Sequence, residues 1–162
     1  MKAKKLFYLL ACCVFLLGAC KRDKLDGHKA QLVGRWQWSY TWVSAYDDSG
    51  GVTTIDTMYA LDYNDIYIIE FEEKGIMAWY KNDKKIFHKN LVFDSEYCFD
   101  SGSGLWSECR YQINKEQFYF TVHQYMDDPP LLIMNSNYND TFFPDFPIPE
   151  DEGYVSTFTK AD

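Results

Sequence analysis

The chain has 162 residues, 47% of them apolar, 19% aromatic and 25% charged, with a formal net charge of −8. That composition excludes a disordered tail, which lacks the apolar surface to offset the entropy of ordering, and the acidity excludes a surface built for nucleic-acid phosphates. At this length one domain buries roughly 70% of its unfolded surface, so a core can form without a metal or many cross-links.

Residues 1–19 are expected to be a signal peptide. Lys2, Lys4 and Lys5 give a positive start, and Leu6 to Leu17 is an apolar run of twelve, short of the about 20 residues that a spanning helix needs. The run ends in Leu16-Leu17-Gly18-Ala19-Cys20, which resembles the lipobox of bacterial lipoproteins. The resemblance implies that Cys20 becomes the first mature residue, with a diacylglycerol thioether on its sulfur and a fatty acid of the palmitate class on its amine. At about 0.8 kcal/mol per buried methylene, several acyl chains hold a protein firmly on a membrane. Lys21 follows where an Asp would retain some lipoproteins in the inner membrane, so the resemblance implies a lipid-anchored protein of the outer membrane. Loss of residues 1–19 leaves 13 basic against 24 acidic residues, a net of −11, so the anchor rather than electrostatic adsorption must supply membrane attachment.

The same export accounts for the cysteines. Cys12 and Cys13 leave with the signal peptide and Cys20 takes lipid, so Cys98 and Cys109 remain in an oxidising compartment, where they are expected to pair. Two alternatives stay open at this level, a pair of reduced buried cysteines and a metal site. The metal is the weaker, because no neighbouring histidine completes a zinc-knuckle spacing.

Residues 20–31 read as the lipidated cysteine and a polar tether, and 32–162 as one β domain. From Trp36 the period is two, with Trp36, Trp38, Tyr40 and Trp42 on one face and Gln37, Ser39 and Thr41 on the other, the pattern of a half-buried strand. Asp47 to Gly51 is a turn, and Val52 to Tyr59 a second strand before the polar Asp62 to Asp65. Ile66 to Glu72 places Tyr67, Ile69 and Phe71 on one side. It turns at Glu73-Lys74-Gly75 into Ile76 to Tyr80, which carries Met77 and Trp79. Asn82 to Lys85 turns the chain into Ile86 to Phe93. Phe99 to Glu108 reads as a turn-rich insert between the cysteines. Glu108 to Ile113, Gln117 to His123, Leu131 to Met134 and Tyr154 to Thr159 are the later strands. All five prolines fall between Pro129 and Pro149, and Asn135 to Gly153, within the acidic, proline-rich 126–153 segment, is expected to be a loop, since proline is kept out of central strands.

A strand beginning Leu32-x-Gly34-x-Trp36, at the start of the mature domain and followed by hairpins to the end, resembles the lipocalin-like domains of bacterial lipoproteins. The resemblance implies an all-β, antiparallel up-and-down barrel of about eight strands, with Trp36 packed across its closed end; a β-sandwich is the alternative. A second Gly-x-Trp occurs at Gly104-Leu105-Trp106. Lipocalins usually stack an arginine on the tryptophan from the last strand, and here Lys160 is the nearest cation.

Trp36, Trp38, Tyr40, Trp42, Tyr67, Ile69, Phe71, Met77 and Trp79 are expected to face the barrel interior. They form either a filled core or the wall of a site for a small apolar or aromatic ligand. The other functional class is an interaction module that meets a protein or glycan through the 126–153 segment. No enzyme, cofactor or metal is expected. A Gly-x-Ser-x-Gly elbow is missing from the sequence, and His28, His88 and His123 have no metal-ligand spacing. Glu70 and Glu72 share a strand face beside a turn, where carboxylates are usually solvated.

Overall fold

The computed structural model describes residues 22–46, 52–115, 118–136 and 153–161. The expected signal peptide, Cys20 and most of the 126–153 segment lie outside them. The described residues form ten strands: β1 (Gly34–Tyr46), β2 (Val52–Tyr59), β3 (Tyr67–Glu72), β4 (Ile76–Lys81), β5 (Lys84–Asn90), β6 (Phe93–Asp100), β7 (Trp106–Ile113), β8 (Phe118–Tyr125), β9 (Leu131–Ser136) and β10 (Gly153–Lys160).

β1 is the hub because its 13 residues are enough to serve three partners. On one edge its first residues pair with β3, Gly34 opposite Phe71 to Gln37 opposite Ile68. Further along the same edge Tyr40 to Tyr46 pair with β2. The other edge pairs with β10 from Trp36–Lys160 to Ser44–Gly153. The antiparallel order is β5-β4-β3-β1-β10-β9-β8-β7-β6, with β2 on β1.

This sheet curls into a half-barrel. The expected all-β, barrel-like architecture is therefore present as one continuous sheet, and its ends β5 and β6 are not neighbours in the ladder. The ten described strands are one more than the nine read along the sequence, for two reasons. Ile86–Phe93, read as one strand, is divided at Leu91-Val92 between β5 and β6. The supposed insert is itself a hairpin, since Phe99 pairs with Glu108 and Asp100 with Ser107.

The described part of the expected tether, residues 22–31, packs against one pole. Asp23 donates its backbone N–H to Leu91 O (2.8 Å) and Leu25 donates to Glu73 O (2.8 Å). Asp23 Oδ2 accepts from the Phe93 N–H at 2.8 Å. A 3-10 helix, Gly27–Leu32, follows, and Leu25 and Leu32 are buried. Gly75 permits this docking: with φ at +77°, a Cβ there would lie 1.9 Å from Asp23 O.

The opposite pole is shaped by a two-residue hairpin. Asn82 and Asp83 both have positive φ, 50° and 63°, as a type I′ turn requires and as Asn and Asp tolerate. Asn82 Oδ1 accepts from Ile66 N–H at 2.8 Å, and its amide donates to Asp65 at 2.6 Å. The Lys81 ammonium, 2.9 Å away, and then the Asn82 amide hold the Asp65 carboxyl below the usual carboxylate range.

Candidate functional site

Seven of the nine expected interior residues are buried on the inner face: Trp36, Trp38, Tyr67, Ile69, Phe71, Met77 and Trp79. They meet the far wall directly. Phe71 packs edge-on to Phe120 at 5.3 Å and Trp79 edge-on to Phe158 at 6.0 Å. Such T-shaped contacts are preferred by the ring quadrupoles. At the plugged pole, Trp36 and the residues around it make a filled core rather than a cavity wall.

Tyr40 and Trp42 depart from the expected inner face, and the cause is a β-bulge. Against β10, Trp38 pairs with Phe158 and Tyr40 with the next residue, Thr157, so Ser39 is extra. One extra residue inverts the alternation beyond it. Thr41 (3% exposed) and Val43 (7%) become buried, whereas Trp42 is 43% exposed. Trp42 and Tyr40 pack together outside at 5.3 Å, and Tyr59 lies 6.3 Å from Tyr40.

The bulge also turns a hydroxyl inward. The Trp38 indole N–H donates to Thr41 Oγ1 at 2.9 Å, and Thr41 Oγ1 lies 2.8 Å from Ser156 Oγ. Trp38 is thereby fixed by both packing and a buried hydrogen-bond chain, which period-two reading alone could not show.

Beside Trp38 the barrel has a mouth. A cleft of about 280 Å³ is lined by Gln37, Trp38, Leu61, Tyr63, Ile66 and Tyr67, among others. Tyr63 lies 5.7 Å from Trp38, and Tyr67 stands edge-on to Trp38 at 6.1 Å. The rim is apolar yet exposed: Leu61 is 97% accessible, and Tyr63 and Ile66 are also exposed. A short 3-10 turn, Ala60–Asp62, presents Leu61. The expected polar turn at Asp62–Asp65 hid this rim; the available signal was the spacing of Leu61, Tyr63 and Ile66 through it.

Cys98 and Cys109 face each other across β6 and β7 and are joined by a disulfide. The fold brings His28 to the bond although it is 70 positions from Cys98 in sequence. These three are a metal-compatible group among the described residues, but two sulfurs bonded to each other are not thiolate ligands. Nearby, Tyr111 O–H donates to His28 O at 2.7 Å. Burial, and then the Glu96 charge, push the Tyr111 phenol above its ordinary range.

The outward face of β6–β9 carries a second depression of about 590 Å³, larger than the mouth cleft. Tyr97, Glu108, Arg110, Tyr119 and His123 contribute to it. Glu108 accepts from the Arg110 guanidinium and lies 3.4 Å from His123 Nε2. Sequence reading passed over this face because its strands are polar on that side; the signal was Tyr97 and Phe99 alternating outward. Comparison of the chain with protein-family models, curated proteins and solved structures gives no match.

Proposed function

We propose that this chain is a lipid-anchored protein of the bacterial cell envelope, held at the outer membrane through Cys20. Its lipocalin-like domain binds a small apolar or aromatic molecule at the mouth. The observation that carries the ligand reading is the cleft in which Trp38, Tyr63 and Tyr67 meet beneath an exposed Leu61. Concave apolar sites with a few fixed polar groups are the usual form of small-molecule sites. Here the polar groups are Gln37 and the Asp65 carboxylate, with Asp65 held in place by Lys81 and Asn82.

The packing limits what the site can hold. The interior near Trp36 and Trp79 is filled, so a ligand occupies the upper cleft, and its volume suits a single ring system rather than a long acyl chain. The anchor reading rests on the lipobox resemblance, and the lipocalin reading gains support from the Lys160 ammonium lying over Trp36.

Native mass spectrometry of the full chain released from membranes tests the ligand: a non-covalent adduct, lost in Leu61→Ser and Tyr63→Ser, is the expected result. A bare protein mass, with no saturable displacement of a neutral apolar dye, would remove the carrier. For the anchor, Cys20→Ala should abolish acylation and release the protein from the membrane fraction.

A further inference from the structure

We propose that the outward face of β6–β9 is a second binding site, independent of the mouth, which takes a neutral oligosaccharide. The register places this face unambiguously. Cys109, Tyr111 and Ile113 of β7 point into the core, so Glu108, Arg110 and Gln112 point outward, opposite Tyr97 and Ser95 of β6 and opposite His123, Thr121 and Tyr119 of β8. These side chains surround the 590 Å³ groove, and Ile133 and Asn135 of β9 complete it.

Three properties fix the class of ligand. The first is the exposed aromatic surface. Tyr97 is 63% accessible, and Phe99, Trp106 and Tyr125 extend an aromatic band beyond the groove toward the β6–β7 turn. Phe99 and Trp106 lie 5.3 Å apart, and His123 stacks on Tyr125 at 6.5 Å. Rings along a sheet face offer flat platforms for the C–H faces of sugar rings, and a phenol keeps a polar tip for their hydroxyls.

The second property is charge balance. Glu108 pairs with the Arg110 guanidinium, one charge against one, which leaves no surplus charge to capture an ion. What remains is a set of directional donors and acceptors: the outer guanidinium N–H groups of Arg110, whose side chain is 67% exposed, the amides of Gln112 and Asn135, and the Ser95 hydroxyl, which donates to Gln112 at 2.6 Å. Such a mixed array matches vicinal hydroxyls, each of which both donates and accepts.

The third property excludes a peptide strand from the groove. β7, β8 and β9, which carry the groove's floor, are paired on both edges within this sheet, so a peptide could add a strand only along the outer edge of β6 and not across the groove.

The test uses the full-length chain in a detergent without a sugar headgroup. Cellotriose, maltotriose, mannotriose, chitotriose and, as an acidic control, trigalacturonate are titrated by calorimetry and saturation-transfer NMR. At least one neutral trisaccharide should bind saturably. Tyr97→Ala should weaken it roughly tenfold, the loss expected of one stacked ring, while Tyr97→Trp restores binding and the unfolding midpoint of both variants stays in place. Leu61→Ser at the mouth should leave sugar affinity unchanged. Absence of binding by every neutral trisaccharide, binding restricted to trigalacturonate, or unaltered affinity in Tyr97→Ala would overturn the proposal.

Discussion

Lys160 lies across Trp36, with its ammonium 5.2 Å from the centre of the indole, and Gly34 leaves room for it. A Cβ on Gly34 would stand 3.2 Å from Lys160 Cε, at a φ of +122° that L side chains rarely adopt. The lysine stem and its charge together cover the buried indole. Lys160→Ala should lower unfolding free energy by about 0.5–1 kcal/mol, Lys160→Arg should hold most of it, and Gly34→Ala should cost more than Lys160→Ala. Urea titrations measure all three; a Lys160→Ala midpoint equal to the parent's would show that the contact is idle.

The bulge at Ser39 separates aromatic residues that look equivalent in sequence. Trp42→Ser, on the outside, should change stability by no more than about 0.5 kcal/mol. Trp79→Ala, in the core, should cost about 3–5 kcal/mol. Thr41→Val should cost about 1–3 kcal/mol, because the Trp38 N–H and the Ser156 hydroxyl both lose their partner. Equal losses at Trp42 and Trp79 would mean that the alternation runs on unbroken.

The disulfide can be weighed chemically. Intact mass should show the loss of two hydrogens, restored by reductant. Replacing both Cys98 and Cys109 by Ala should lower stability by about 3 kcal/mol, from loop-closure entropy alone, with the sequence separation of 11. Free thiols in the native protein would contradict the bond.

Alkaline pH should loosen the plugged pole. Tyr111 has a raised phenol pKa through burial first and the Glu96 charge second. A raised folded pKa means that the unfolded chain gives up its proton first. The stability that Tyr111 contributes is thus fully present below the ordinary phenol value near 10 and is lost as pH rises above it. Absorbance at the phenolate band should show a late step, together with unfolding, that is lost in Tyr111→Phe, and the same variant should flatten the alkaline fall in stability.

Most strands were legible because burial on one face writes a period of two into the sequence, as at Tyr67, Ile69 and Phe71. Three things were not. A bulge adds a residue without changing composition, so Trp42 reads like Trp38. The approach of His28 to Cys109 and of Lys160 to Trp36 depends on which distant elements pack together. The outer groove lies on the polar faces of the strands, where only the alternating Tyr97 and Phe99 set it apart from an ordinary solvated surface.

The docking of Asp23 and Leu25 also gives the barrel a direction. These residues sit by the β3–β4 turn, whereas Tyr67 and the cleft lie at the other end of β3. Six residues of strand put about 20 Å between them. If an acyl anchor lies upstream of Arg22, the protein stands on its plugged pole like a cup on its base. Its mouth then looks away from the bilayer, so a molecule of the kind proposed for the cleft would have to arrive from and depart to the aqueous side, not by lateral exchange with the lipids beneath.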